Sequence, residues 1–361
     1  MGADEKTDRL WVRLDPRDSQ SKWKQIKPEN LREAPTAAAN ANHECRFCLE
    51  GAGGEPLLSP CPCRGSMSCV HLRCLQNAYL SQGATIAYPR CPTCKRKCDA
   101  RTAVMLLENL REKVEQEPAK DVYVFAQILT NLGNAYHELD LSHVQKAIEL
   151  FERALDIQEH QYGSQYSELV PTLCNLGAAY REIGDCGKSI EVLQRTLALQ
   201  EKEGGLHDHL QAPTLGNLGS AFGQLGHTHQ AISFFQRALA NLERDYGSQH
   251  YELTGSLNNL GKAYLRLGDA GKALEVLVRA LAITTRECGS EHLDILPTLK
   301  TLGVANMQMG DAKKAIDIFE RVLAIEKHEY GLEHANVAQT LELLDQLNAT
   351  QAIVRMEGAH D

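Results

Sequence analysis

Beyond residue 119 the apolar positions follow two superposed rhythms. Within one stretch, Leu253, Leu257, Leu260, Tyr264 and Leu267 fall at steps of four, three, four and three, which predicts one apolar stripe on an amphipathic helix. Gly268 and Asp269 then supply a helix stop and a capping side chain. Ala273, Leu277 and Ala280 mark a second stripe, and Gly289 ends it. The longer rhythm repeats this helix pair. Leu-Gly-x2-aromatic recurs at Leu132-Gly133-x2-Tyr136, Leu176-Gly177-x2-Tyr180, Leu218-Gly219-x2-Phe222 and Leu260-Gly261-x2-Tyr264, then weakens to Leu302-Gly303-x2-Asn306. From Gly177 onward the step is 42 residues; the first is 44, because two residues are inserted between Asp140 and Gln145. Two further ladders keep the 42-residue step throughout: Arg153, Arg195, Arg237, Arg279, Arg321, and Gly163, Gly205, Gly247, Gly289, Gly331.

The repeats fix the expected class as mainly α, an α-solenoid of helical hairpins. Ala147-x3-Phe151, Ala231-x3-Phe235 and Ala315-x3-Phe319 complete the tetratricopeptide pattern. The period exceeds the usual ~34 residues and allows about one extra turn per helix. The units resemble those of kinesin light chains, which share phrases such as Ala-Tyr-Leu-Arg-Leu-Gly and Arg-Ala-Leu. Five hairpins and a final helix are expected over residues 119–349, with a tail at 350–361. Hairpins that cannot bury their faces alone stack into a right-handed solenoid with a concave groove for extended peptides. Asn131, Asn175, Asn217 and Asn259 recur two residues before the repeat glycine and are the groove candidates. Each can present donor and acceptor to a peptide backbone, or bond within and between hairpins. The arginine ladder is expected to pair helices ionically. The glycines inside helices, each costing roughly 1 kcal/mol against Ala, are expected where helices approach closely.

Composition changes the picture at the other end of the chain. Nine of the 12 cysteines lie between Cys45 and Cys98, marking one small cysteine-rich module. Their ordered spacing is Cys45-x2-Cys48, Cys61-x-Cys63, His71-x2-Cys74 and Cys91-x2-Cys94, four ligand pairs that make two four-coordinate sites. Thiolate and imidazole in closed sets of four are structural Zn²⁺ chemistry, with no open position for hydrolysis and no catalytic side chain. A RING with His as its fourth ligand would need a cysteine at position 77, which is Asn77. A PHD finger has a wider second pair and a shorter spacer before its His.

The arrangement resembles the RING-CH (RING-variant) domain of MARCH-type ubiquitin ligases. The stretch from Glu55 to Leu75, EPLLSPCPCRGSMSCVHLRCL, carries the likeness beyond the ligands. The resemblance implies a cross-brace: Cys45, Cys48, His71 and Cys74 on one zinc, Cys61, Cys63, Cys91 and Cys94 on the other, with Cys69 and Cys98 spare. It also implies a groove for a ubiquitin-conjugating enzyme, held without any covalent bond to ubiquitin. The positions that build this groove in the family are Phe47, Ala78 and Pro92 here. Ala78 departs from the family pattern, which has Trp, an aromatic anchor of the kind that dominates interfaces.

Charge and hydropathy set outer limits. The first 99 residues carry 15 basic against 11 acidic residues and the rest 23 against 36, an acidic body unsuited to broad nucleic-acid binding. No apolar run approaches the ~18 residues of a membrane span, and the N-terminus has no apolar stretch behind its charges. An intracellular, cytoplasmic location in a reducing compartment is expected, which leaves metal rather than disulfides to explain the cysteines. Residues 1–42, with Trp11 and Trp23, read as a flexible arm, 43–99 as the zinc domain, and 100–118 as a connecting helix with Val104, Leu107, Leu110 and Val114 at helical spacing. The reading is a ubiquitin-protein ligase whose repeat groove recruits substrate or adaptor; the rival is a non-catalytic interaction scaffold.

Overall fold

The computed structural model describes residues 2–4, 9–13, 23–26, 44–51, 57–61, 63, 68–81, 88–91, 93–117, 121–165, 167–202 and 208–357. The chain divides into two units, residues 1–112 and 113–361. At the start of the first unit, where the sequence pattern gave no regular elements, β1 (Gly2–Asp4), β2 (Arg9–Arg13) and β3 (Trp23–Ile26) pair antiparallel in that order. The indoles of Trp11 and Trp23 lie outside the described residues.

The cysteine-rich module contains a two-residue hairpin ladder and one helix. β4 (Leu57–Leu58) pairs antiparallel with β5 (Val70–His71), setting Leu57 opposite His71. Helix α1 (Leu72–Ser81) follows directly, so His71 and Cys74 sit at the strand-to-helix junction. Among the described residues its apolar core is small: Cys45, Leu57, Cys69, Val70 and Leu75, joined by Leu106 from α2 (Ala100–Gln116). Asp99 starts α2 as an N-cap, its Oδ1 accepting from the Thr102 N–H at 3.0 Å and its Oδ2 from the Thr102 hydroxyl at 2.7 Å. So few buried side chains cannot offset the chain entropy of such a module, which therefore needs another source of cohesion.

The second unit is built of paired helices: α3 (Val122–His137) with α4 (Val144–Tyr162), α5 (Val170–Glu182) with α6 (Cys186–Lys202), α7 (Ala212–Gln224) with α8 (Thr228–Tyr246), α9 (Leu253–Arg266) with α10 (Ala270–Cys288), and α11 (Leu296–Gln308) with α12 (Ala312–Tyr330). Helix α13 (Ala335–Glu357) closes the array and runs past residue 349, where the apolar pattern fades. Each helix packs on the next, and the first helices of successive hairpins also touch one another. Two kinds of glycine make this possible. Gly268 has φ +79° in the turn between α9 and α10, and Asp269 then caps α10 by accepting the Lys272 N–H at 3.1 Å. Gly261 sits mid-helix, where an added Cβ would lie 2.6 Å from Leu277; Gly133 and Gly303 meet the Phe151 and Phe319 rings in the same way, at 2.5 Å.

The apolar stripes fall where the periodicity put them, with one exception. Leu253, Leu257 and Leu260 are buried, as are Ala273, Leu277 and Ala280, but Leu267 is 41% exposed. It is the C-cap of α9, beyond the last turn that faces the core. In the fifth repeat Asn306 replaces the aromatic; it is buried and donates from Nδ2 to the Leu302 carbonyl at 2.8 Å. The arginine ladder joins repeats: Arg195, Arg237 and Arg279 reach Glu159, Glu201 and Glu243 of the preceding hairpin at 2.5, 2.6 and 2.5 Å, and Arg153 reaches Glu115 at 2.6 Å.

Candidate metal centre and peptide groove

The cysteines of the module are all free thiols, and their sulfurs converge. Cys45, Cys48, His71 and Cys74 bring four ligand atoms within 4.8 Å of one another, and Cys61, Cys63, Cys91 and Cys94 do the same. These are the two sets that the cross-brace pairing names. Zinc–ligand bond lengths place two sulfurs of one tetrahedron about 3.8 Å apart and a sulfur and nitrogen about 3.6 Å apart. The Cys63 and Cys91 sulfurs are 4.0 Å apart and Cys48 Sγ lies 3.3 Å from His71 Nδ1. No hydrophobic or hydrogen-bonding logic collects seven thiols and an imidazole in two clusters; a soft divalent cation does.

Backbone geometry explains how each Cys-x2-Cys pair is aimed. In the first knuckle the Leu49 N–H donates to the Cys45 carbonyl at 2.7 Å and the Cys45 N–H to the Glu50 carbonyl at 2.8 Å. In the second, Lys95 donates to Cys91 at 3.0 Å and Cys91 to Arg96 at 2.8 Å, the same pattern. Both knuckles force the residue after the second cysteine to positive φ, +61° at Leu49 and +60° at Lys95. That conformation costs a side chain other than glycine about 1 kcal/mol or more. The second knuckle directs the Thr93 and Cys94 N–H groups at Cys91 Sγ, and β5 brings the His71 N–H to Cys45 Sγ, each at 3.4 Å.

These contacts set the thiol chemistry. Burial alone would raise the Cys45 thiol, but N–H groups from Cys48, His71 and Phe47 bring it down to about 6. Cys91 follows the same balance and also falls to about 6. Their partners move the other way: the Cys61 side chain holds Cys63 up to about 12, and burial beside Cys48 and Cys45 does so for Cys74. Cys45 in one site and Cys91 in the other are thus ready for a cation at neutral pH. On His71, Nε2 faces the Gly51 carbonyl at 3.2 Å, so the proton sits there and Nδ1 is left as the ligand atom. Arg46 links the sites, its guanidinium donating from the first knuckle to Cys91 Sγ at 3.5 Å.

Of the spare cysteines, Cys69 is buried in the module core, and Cys98 is buried and pushed up to about 12 by desolvation, so Cys98 is not a poised thiolate. Of the three positions singled out for a conjugating enzyme, Phe47 is 41% exposed with the Arg46 guanidinium over its ring, Ala78 is half-buried on α1, and Pro92 lies outside the described residues. The residue patterns did not single out Leu49. It is 71% exposed, beside Phe47 in the same knuckle, and held outward by its positive φ. The positive φ follows from the knuckle hydrogen bonds, so a Cys-x2-Cys-apolar string is the available signal.

In the repeats, two of the four asparagines use their amides between hairpins: Asn175 Nδ2 donates to Asn134 Oδ1 at 2.8 Å and Asn217 Nδ2 contacts Cys174 Sγ at 3.7 Å. Asn131 and Asn259 are half-buried on the equivalent first helices. Between α9 and α11, Lys262, Arg266, Lys300, Val304 and Gln308, among others, line a pocket of about 410 Å³. Lys262 and Arg266 follow Asn259 at i+3 and i+7, on the same helix face. This basic patch was not singled out from sequence, where isolated surface cations look like ordinary solvated positions.

The RING-variant domain family matches residues 45–95, and the tetratricopeptide repeat family matches residues 124–202, 171–244 and 252–327. Over 49 residues the chain is 49% identical to the E3 ubiquitin-protein ligase MARCHF2 of Rattus norvegicus and equally to that of Homo sapiens, covering 14% of this chain and 20% of each relative. Similarity to the E3 ubiquitin-protein ligase MARCHF3 of Xenopus tropicalis is 40% over 55 residues, 15% of this chain and 22% of that one. The chain thus spans about a fifth of the length of these relatives, the part that includes the zinc-binding pattern. BtubC (BKLC) from P. vanneervenii superposes with a TM-score of 0.52 at 24% identity, over 64% of this chain and 91% of its own. Kinesin light chain TPR-like repeats from Podosopora anserina superpose with a TM-score of 0.50 at 24% identity, over 58% and 98%. Both define the fold of the repeats. Among the described residues no helix is long and apolar enough to cross a membrane.

Proposed function

We propose that this chain, which belongs to the tetratricopeptide repeat family and carries a RING-variant domain, is a zinc-dependent ubiquitin-protein ligase that recruits its substrate or adaptor through the repeat groove. The observation that carries the reading is the convergence of two sets of four zinc-type ligands in a module similar to named E3 ubiquitin-protein ligases. Cys45, Cys48, His71 and Cys74 would hold one Zn²⁺, and Cys61, Cys63, Cys91 and Cys94 a second. When bound, the ions supply structural cohesion, on the order of 10 kcal/mol each, which the small core lacks. No residue here attacks a thioester. The chain's own part is positioning: Phe47 and Leu49 present an apolar platform to the charged conjugating enzyme, with Ala78 and Pro92 as the further positions that the family resemblance implies. Holding the thioester in an attack-ready orientation is enough to accelerate transfer to a lysine.

In the groove, Lys262 and Arg266 favour an acidic segment of the ligand, with Asn131 and Asn259 as the candidates to meet a peptide backbone, since Asn175 and Asn217 bond between hairpins. Twelve free thiols fit a reducing compartment, and we place the protein in the cytoplasm. Ala78 keeps the scaffold reading alive, since the family's indole would bury far more apolar surface against the conjugating enzyme. Autoubiquitination by the full chain across a panel of conjugating enzymes separates the two. Activity that Leu49→Ala and Phe47→Ala abolish, with zinc retained, supports the ligase; binding of a conjugating enzyme without transfer supports the scaffold.

A further inference from the structure

A third convergence of metal-type ligands lies far along the sequence from the RING-variant module, in the turn between α10 and α11. There Cys288, His292 and Asp294 bring their ligand atoms within 4.8 Å of one another. The repeat background shows how the cluster arises. At the position of Cys288 other repeats carry Tyr162, Tyr246 and Tyr330, and where a histidine follows four residues later the ring stacks on it. Tyr246 lies 4.6 Å from His250 and Tyr330 lies 4.5 Å from His334, centroid to centroid. In the fourth repeat Cys288 replaces the ring, so His292 has a sulfur in place of a stacking partner. Asp294 takes a position filled by Glu168, Glu252 and Asn336 elsewhere.

The separations decide what kind of cluster this is. Asp294 Oδ2 is 3.4 Å from His292 Nδ1 and 3.7 Å from Cys288 Sγ. The first is long for a charge-assisted hydrogen bond, which closes to about 2.7–2.9 Å. Both match the edges of a zinc tetrahedron, about 3.3 Å for oxygen to nitrogen and about 3.5 Å for oxygen to sulfur. Nδ1 accepts the Asp294 backbone N–H at 3.3 Å, as His250 and His334 accept the N–H two residues on, a long bond whose lone pair a cation at Nδ1 would take over. A cation bound among them would replace the Cys288 thiol proton, released to solvent, and the Asp294 N–H as the groups that Asp294 Oδ2 and His292 Nδ1 now accept. Tyr251, from the preceding turn, donates its hydroxyl to Asp294 Oδ2 at 2.9 Å and so orients the carboxylate from outside the cluster.

We propose that Cys288, His292 and Asp294 form a Zn²⁺ site, separate from the RING-variant module, with three protein ligands and a solvent-facing fourth position. Thiolate, imidazole and carboxylate together select a borderline-soft ion over Mg²⁺ or Ca²⁺, which take oxygen ligands. The His292 and Asp294 side chains are 52% and 46% exposed, so the ion would enter and leave from solvent, unlike one enclosed in a closed set of four. Bound there, it ties the α10–α11 turn to Tyr251 of the neighbouring repeat.

The test uses the full chain with its RING-variant module already zinc-loaded. Alkylation of Cys288 by iodoacetamide is followed by peptide mass spectrometry as Zn²⁺ is added, with Cys174 as an internal reference outside the cluster. Zn²⁺ is expected to slow Cys288 alkylation and to leave Cys174 unchanged. His292→Ala and Asp294→Asn should raise the Zn²⁺ needed for protection by at least about tenfold, the scale of losing a positioning partner or more. An alkylation rate that Zn²⁺ does not change, protection that survives His292→Ala unchanged, or equal protection by Mg²⁺ would each overturn the proposal.

Discussion

Lys300 Nζ lies 2.7 Å from Glu326 Oε1, and that carboxylate has no solvent-exposed side-chain surface. Its other oxygen accepts the Thr340 hydroxyl at 2.7 Å, so one buried charge joins α11, α12 and α13. Removing the cation leaves the carboxylate stranded. Lys300→Met is expected to destabilise the end of the array by about 3 kcal/mol, the lower end of the range for a broken buried pair, because Lys300 is itself partly exposed. Glu326→Gln should cost less, since the Thr340 bond survives. Urea unfolding followed by circular dichroism reads both; equal losses would contradict this account of the pair.

The arginine ladder predicts a graded series. Arg279 reaches both Glu243 at 2.5 Å and the Ser248 carbonyl at 2.6 Å, whereas Arg321 keeps only the carbonyl, Ser290 at 2.8 Å, of those two kinds of contact. The carboxylate's place one repeat back from Arg321 is taken by Thr285. Arg279→Ala is expected to cost about 1 kcal/mol and Arg321→Ala clearly less, the difference shrinking in high salt. A salt-independent difference would show that the guanidinium acts through packing alone.

Gly261→Ala opposes two effects of known sign. Helix propensity favours Ala by up to about 1 kcal/mol. The new Cβ, however, would stand 2.6 Å from Leu277, which is fully buried. Overpacking of this kind costs about 1–3 kcal/mol, so the variant is expected to be less stable than the native chain. A rise in melting temperature would mean that α9 and α10 can separate without loss.

Zinc uptake by the module should depend on pH with a definite sign. Cys45 and Cys91, at about 6, are thiolates at neutral pH, whereas Cys63 and Cys74, at about 12, still carry protons that a cation must displace. Affinity therefore rises between pH 6 and 8, by about tenfold per unit for each proton released at a site. Chelator competition at several pH values measures it, and chelation should unfold residues 44–98. A flat profile would mean that all the ligand thiols ionise before binding.

How much of this is legible in the residues follows from how local each signal is. The cross-brace ligands come as contiguous pairs, so spacing exposes them without any knowledge of the fold. The glycine and arginine ladders are equally open, because the 42-residue step superposes equivalent positions. Leu49 was not legible, since its outward pose comes from the knuckle's hydrogen bonds and leucine is a poor choice for positive φ. The cluster around Cys288 was hidden for a different reason. A single cysteine in a repeat reads as a leftover thiol until the turn brings His292 and Asp294 beside it. The basic pocket combines Lys262 and Arg266 from α9 with Lys300 from α11, which periodicity within one helix does not join.

The central claim is that the RING-variant module accelerates ubiquitin transfer by positioning alone. Single-turnover discharge of ubiquitin from a charged conjugating enzyme to free lysine, with the full chain present, tests it most directly. The expected result is faster discharge with at least one conjugating enzyme, lost in Cys48→Ser along with zinc, lost in Leu49→Asp with zinc retained, and increased in Ala78→Trp. Discharge that the native chain leaves at its spontaneous rate with every conjugating enzyme tried, while Ala78→Trp accelerates it, would contradict the claim and make this module a scaffold.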